Sequence, residues 1–287
     1  MVANPDVVKI FHAADQDLVY ITRWCGARFV NIFDTSLAAR FCGMAGQISL
    51  QKLLAETLGV SLQKDSTLTD WTKRPLSQKQ LSYALEDVAY LAELAEHLTE
   101  KARTAGTLAW LLEATREFEA EAQTPEAPGM AWKKVKHVHA PQFGKPRSLV
   151  MLRELAETRE RLAARVDLPR NWVLDDHVLV AAALVAPGFD WTKAAKDIPK
   201  GLAPEFAEAY GRALEMPFEN LPDLGPAHVP VAREKVEKIQ KRVTACAGRY
   251  GIDPLVLGTR AVCAEYAVDE ENAGHKFNRG WRREILN

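Results

Sequence analysis

A chain of 287 residues with 47% hydrophobic and 26% charged side chains has room for two or three domains and the composition of an ordinary soluble globular protein. Its formal net charge of −1 excludes a wholesale polycation, so any contact with nucleic acid has to come from local basic patches. No apolar run is long enough to span a bilayer, and Cys25, Cys42, Cys246 and Cys263 lack the close spacing of a zinc site. No signal-peptide pattern opens the chain, so the expectation is a cytoplasmic protein with buried free thiols, no membrane attachment and no obligate protein partner.

The first third reads as α/β. "VVKIF" (7–11) suits a buried strand, a helix is expected from about Asp15 to Trp24, and "FVNIF" (29–33) suits a second strand. "DTSLAARFCG" follows as a short helix, with Asp34 placed to cap it. "SLQKLLAETLG" (49–59) is another helix, capped by Ser49 and stopped at Gly59. The segment 70–81 is an extended loop through Pro75. Ser77 with Gln80 three positions later forms a capping-box pattern that opens the next helix. From there on the pattern is helical, over 148–166, 175–185 and 203–215, and again up to "GWRREIL" (280–286).

Two breaks divide the chain. "TPEAPG" (124–129) is a linker candidate, and "MPFENLPDLGPAHVP" (216–230) contains four prolines. Between Ala127 and Arg153 there is no acidic residue, but Lys133, Lys134, Lys136, Lys145, Arg147 and Arg153 are present, with Trp132, His137, His139 and Phe143 among them. Cations interleaved with aromatics suit phosphates and unstacked bases, although a solvated linker has the same composition.

Two aspartates and a tyrosine are candidates for chemistry. Asp17 lies just after the first strand, where α/β folds build sites, although a first-turn acid also favours the helix dipole, a description that fits Asp15 better. Tyr83 and Asp87 are four apart on one helix, so their oxygens share a face. A phenol there could orient a metal-held water while the aspartate holds the cation, or the two could be a plain structural pair. His12 follows an apolar strand and reads as a packed, hydrogen-bonded histidine. His137 and His139 have no partners at zinc spacing.

"KIFHAADQDL", "FDTSLAARFCG" and "LGVSLQKDSTLTDWTKRPLSQKQLSYALEDVAYL" together resemble the ribonuclease D family of DEDD-type 3′→5′ exoribonucleases. "RSLVMLRELAETRERLAARVDLPRNWVLDDHVLVAAA" is similar to an HRDC domain, the helical nucleic-acid-binding module of that family. "GIDPLVLGTR" and "GWRREIL" resemble the end of a second HRDC-like unit. The resemblance covers nearly the whole chain. It implies that Asp17 is the aspartate of the second exonuclease motif and a metal ligand. Asp87 is then a second ligand, and Tyr83 positions the water in the tyrosine subclass. The implied cofactors are two Mg²⁺ or Mn²⁺ ions, and the implied partner is RNA with a tRNA-like or structured 3′ end.

The resemblance also implies a first motif, Asp-x-Glu on a strand upstream of "VVKIF", which these residues do not contain. The expectation is therefore a shortened sequence read from an internal Met, with an exposed sheet edge and apolar face and with little activity. The expected organisation is an α/β partial RNase H-like exonuclease domain over 1–121 and a basic linker over 122–139. An all-α HRDC domain over 140–219 and a second HRDC-like domain over 226–287 complete it. Two rivals stand beside this reading: a catalytically silent RNA-binding HRDC protein, and an exonuclease acting on DNA.

Overall fold

β-Branched and aromatic residues at the start of the chain build a small parallel sheet. In the computed structural model, which describes residues 1–44, 46, 48–62, 69–123, 128–136, 146–216 and 231–286, β1 (Lys9–Phe11) pairs with β2 (Ile32–Asp34) in the register Lys9 to Ile32 and Phe11 to Asp34. The connecting helix α1 (Asp15–Cys25) makes this a βαβ unit. Both strands are shorter than the apolar runs that encode them. Val7 and Val8 precede the first and are exposed, so the pairing begins only at Lys9.

Asp34 does more than end β2. Its Oδ1 accepts from Leu37 N at 2.9 Å, capping α2 (Thr35–Phe41), and its Oδ2 accepts from Ala14 N at 2.9 Å. One buried carboxylate thus fixes the starts of two helices, satisfying backbone donors that would otherwise be orphaned. His12 is held the same way, with Nδ1 2.9 Å from Thr35 Oγ1 and Nε2 3.1 Å from Ile48 O, as expected of a packed histidine. The expected Ser49 cap is also present on α3 (Leu50–Leu58). After it come α4 (Gln78–Ala89), α5 (Leu91–Thr104) and α6 (Leu108–Ala122). α6 braces β2: Glu119 accepts from Ile32 N, and the Gln123 amide grips both backbone groups of Phe29.

The chain divides into two units, Met1–Pro125 with Pro230–Asn287, and Glu126–Val229. The C-terminal helices, set apart in the sequence as a second module, therefore share a core with the N-terminal segment. Phe41, Leu54, Leu98 and Leu111 cluster with Val243, Cys246, Leu257 and Trp281 from α12 (Arg233–Tyr250), α13 (Pro254–Leu257) and α15 (Gly280–Leu286). α14 (Arg260–Val268) completes the C-terminal segment. The expectation of buried thiols holds for Cys246 and Cys263 but not for Cys25, which is exposed.

Two glycines permit the closure. Gly43 has φ +80°, and a side chain there would meet the carbonyl oxygen of Gly251 at 2.7 Å, where the ends of α2 and α12 touch. Gly280, at φ +54°, opens α15 beside the Glu113 carboxylate, which leaves no space for a Cβ. On α6, Glu113, Glu117 and Glu121 form a ladder at four-residue spacing that engages this last segment. Glu113 accepts from Trp281 N at 3.2 Å, Glu117 from Arg282 at 2.5 Å, and Glu121 pairs with Lys276 at 2.8 Å.

The second unit is all-helical: α7 (Pro146–Val166), α8 (Arg170–Val173), α9 (Asp176–Leu184), α10 (Trp191–Ala194) and α11 (Ala203–Glu215). Leu152, Leu155, Leu179 and Phe206 are central to its core. Arg159 is fully buried within it, paired to Asp176 at 2.7 Å and donating to Leu174 O at 3.0 Å.

Two consequences are measurable. Arg282 is only 12% exposed, so Glu117→Ala strands a largely buried guanidinium and should cost about 1.5–3 kcal/mol in denaturant unfolding. Glu100→Ala, which removes an exposed partner of Arg103, should cost less than about 1 kcal/mol. His12 titrates below its ordinary 6.5, chiefly because burial disfavours the charged ring. Its contribution to stability is then complete above 6.5 and is lost as pH falls below 6.5 toward the folded-state midpoint. His12→Gln should flatten that acid-side decline in unfolding curves recorded across the interval. Part of the slope should remain, because burial lowers His275 as well.

Candidate active site and comparison with known proteins

The best-formed candidate site lies on α4. Ser77 accepts from Gln80 N at 3.2 Å, and the Gln80 side chain returns a bond to Ser77 N at 2.9 Å, so the capping box anticipated from the sequence is complete. Gln80 is itself buried, and its Nε2 donates to Asp70 O at 3.1 Å and Thr69 Oγ1 at 3.3 Å. The amide that closes the helix start thereby clamps the preceding loop onto the same helix. That loop is stiffened locally: Asp70 accepts from Thr72 N and Oγ1, and Arg74 donates to the carbonyls of Trp71 and Lys73.

The clamp delivers Trp71 to the candidate tyrosine. Its ring centroid lies 5.9 Å from that of Tyr83, tilted by 51°, with Trp71 38% exposed. Sequence reasoning missed both this contact and the second role of Gln80. The available signal was a tryptophan isolated in a polar loop, just upstream of the tyrosine.

Tyr83 and Asp87 do meet. They share one face of α4, and the negative charge of Asp87 is the main cause holding the Tyr83 phenol above its usual value. Asp87 is also raised, first by burial and then by the charge of Glu86, while the phenol's hydrogen bond works in the opposite direction. Tyr83 therefore stays protonated through neutral pH, able to donate to a carboxylate or a water beside it.

Asp17 is an exposed residue in the first turn of α1, next to Asp15. Asp15 is raised by burial and then by the charge of Asp34. Among the described residues, no group of three or more His, Cys, Asp or Glu side chains is disposed to hold a metal ion. Asp17 and Asp87 by themselves therefore do not constitute a two-ion centre, which needs several carboxylates around ions about 3.5–4 Å apart.

The surface near these elements is apolar. Leu81, Leu85 and Val88 lie on the outward side of α4, with Tyr20 and Trp24 exposed on α1 and Val7 and Val8 beside β1. This is the exposed apolar surface expected of so small a sheet.

The basic segment differs from its reading as an open strip of cations and rings. Trp132 is buried in the core of the second unit, with Lys133 lying over its ring at 5.8 Å. Arg147 donates to the carbonyls of Ala213 and Met216, tying α7 to the end of α11. Lys134 and Lys136 are exposed. Lys145, His137, His139 and Phe143 lie outside the described residues.

Asp87→Asn should lower the Tyr83 phenol midpoint, read by ultraviolet titration against Tyr83→Phe as the blank. Trp71→Ala should lower it less, by loosening the ring from the carboxylate. An unchanged midpoint in Asp87→Asn would mean that the pair does not form in solution.

Three comparisons bear on identity. Residues 1–103 match the family model described as a 3′-5′ exonuclease. Ribonuclease D of Desulfotalea psychrophila is 32% identical, over 100% of this chain and 78% of the relative, and ribonuclease D of a Jannaschia species is 36% identical over 99% and 74%. Among solved structures, Escherichia coli RNase D, titled an exoribonuclease involved in structured RNA processing, superposes with a TM-score of 0.79 at 25% identity. That likeness covers 99% of this chain and 78% of the other. With its 3′-5′ exonuclease segment and its likeness running from end to end, the chain belongs to the ribonuclease D family.

Proposed function

We propose that the chain is a ribonuclease D-like 3′→5′ exoribonuclease polypeptide that takes structured RNA 3′ ends, tRNA precursors among them, and that these 287 residues alone hydrolyse RNA weakly. The observation that carries the reading is the Tyr83–Asp87 pair. It consists of a protonated phenol and a carboxylate on one helical face, close enough for the charge of Asp87 to raise the phenol, on a helix whose start is clamped by Gln80 and with Trp71 against the tyrosine ring. In this reading Asp87 and Asp17 are metal ligands for Mg²⁺ or Mn²⁺, and Tyr83 orients the attacking water. The shortage of carboxylates around them among the described residues supports weak turnover. RNA rather than DNA is favoured by the full-length likeness to ribonuclease D proteins, since fold alone does not set the substrate.

That same shortage favours the second reading, an RNA-binding protein whose exonuclease segment is a scaffold. The two separate in one assay. The purified chain is incubated with 3′-structured, 5′-labelled RNA and Mn²⁺ beside its Asp87→Ala and Tyr83→Phe variants. The expected outcome is RNA binding in all three, with slow shortening by the parent chain that is lost in Asp87→Ala and reduced in Tyr83→Phe. Binding with no shortening in any of them assigns the chain to the second reading. Robust 3′ shortening that disappears in Asp87→Ala would overturn the weak-turnover reading and leave the site assignment standing. Robust shortening unaffected by Asp87→Ala would overturn the site.

A further inference from the structure

We infer that the outward face of α12, formed by Lys238, Lys241 and Arg249 around Ala245 and Gly248, is a docking surface for the phosphodiester backbone of RNA; this rests on the RNA reading given above.

The helix is two-faced. Val236, Ile239, Val243, Cys246 and Ala247 point into the core of the first unit. At 100° per residue the opposite side carries Lys238, Lys241, Arg242, Ala245, Gly248 and Arg249, all of them exposed. From Lys238 to Ile252 there is no acidic residue. From Lys238 onward the face is therefore a stripe of one sign, with the exposed Glu234 one turn before it, in a chain whose formal net charge is −1.

Several cations elsewhere in this unit are neutralised by neighbours. Lys276 pairs with Glu121, Arg282 with Glu117, Arg103 with Glu100, Arg233 with Glu237, and Lys235 with Glu270. Lys238, Lys241 and Arg249 form no ion pair among the described residues. Glu237, on the flank of the stripe, is already engaged by Arg233, with the field of Lys241 a smaller influence. Arg249 makes only a 3.5 Å contact to Cys246 Sγ, and Arg242 is drawn to the carbonyl of Leu286 at the stripe's edge.

A like-charge row on one helix face opposes helix formation, because cations three and four apart repel. It becomes favourable when an anion lies along it. The row runs about 16 Å from Lys238 to Arg249 at the rise of an α-helix, which spans several phosphates of a strand rising about 3.4 Å per nucleotide. Ala245 and Gly248 keep the middle low, so a backbone can approach the helix. Extended phosphates fit this geometry better than an acidic peptide, whose charges are irregularly spaced.

The test uses the whole chain and measures affinity for a labelled single-stranded RNA and for tRNA over a series of salt concentrations. Every phosphate that the protein ceases to neutralise should lower the slope of log affinity against log salt by about 0.7 for a single strand. Lys238→Gln with Lys241→Gln and Arg249→Gln should therefore reduce the slope by about 2 and weaken low-salt binding tenfold or more. Lys238→Arg with Lys241→Arg should retain it, and circular dichroism should show all variants folded. Arg161→Gln with Arg165→Gln, which removes cations already paired to Glu205, should leave the slope unchanged. An unchanged slope in the triple variant, with the parent chain still binding, overturns this surface and leaves the RNA reading intact. Stronger competition by polyglutamate than by RNA of equal charge assigns the face to protein and overturns it too. No salt-sensitive RNA binding by the parent chain overturns both.

Discussion

Burial of Trp281 against Phe41 is the contact on which the first unit depends. The two rings lie 5.1 Å apart at the centre of a core built from segments more than two hundred residues apart in the chain. Trp281 is fully buried, and a residue of that size dominates the apolar area removed from water. Among the described residues the N-terminal sheet has two strands of three residues each, too little to support an independent fold. The hydrophobic face of α2 and α6 is completed instead by α12, α13 and α15, and the Glu113–Glu117–Glu121 ladder orients the last helix on α6. Truncation within the C-terminal segment would therefore remove part of the core that supports the exonuclease segment.

The candidate site is built by a sequence of local constraints. Asp34 fixes the start of α1, which carries Asp17, while Gln80 fixes the loop that carries Trp71. Both anchors are side chains on backbone groups, and neither depends on the distant core. Local order at Tyr83 and Asp87 can therefore coexist with an incomplete set of carboxylates. A phenol held protonated by an adjacent carboxylate is a hydrogen-bond donor in place before any substrate arrives. Positioning and metal binding are separable properties of such a site.

Much of this was legible in the residues themselves. Ser77 and Gln80, Ser49, and Asp34 announced their helix starts because capping depends on a few adjacent residues. That Tyr83 and Asp87 share one helical face followed from spacing alone. Neither the role of Trp281 nor the closure at Gly43 was visible, because both depend on contacts between residues far apart in sequence. Composition misled at Trp132. An aromatic among lysines reads as a stacking platform, whereas its neighbours Ala131 and Val135 are also buried and take it into a core. Cys25 was misjudged by averaging over its residue type, since thiols are commonly buried but this one ends an exposed turn of α1.

The cations show why a count of charges is a poor guide to binding. "RGWRRE" and the 127–153 segment are the most conspicuously basic stretches, yet Arg282 is committed to Glu117 and the carbonyl of Leu257, and Arg147 to two carbonyls at the end of α11. A guanidinium already satisfied in a partly buried site gains little from a phosphate, because binding would first have to break existing charge-assisted bonds. Lys238 and Lys241 attract less notice, being diluted by Val, Ile and Gln, but helical periodicity gathers them with Arg249 on one exposed side. Availability is set by what each cation already touches. The proposed α12 face lies on the helix whose other side completes the core of the exonuclease segment. A ligand drawn to it would therefore be held on the same folded unit as Tyr83 and Asp87.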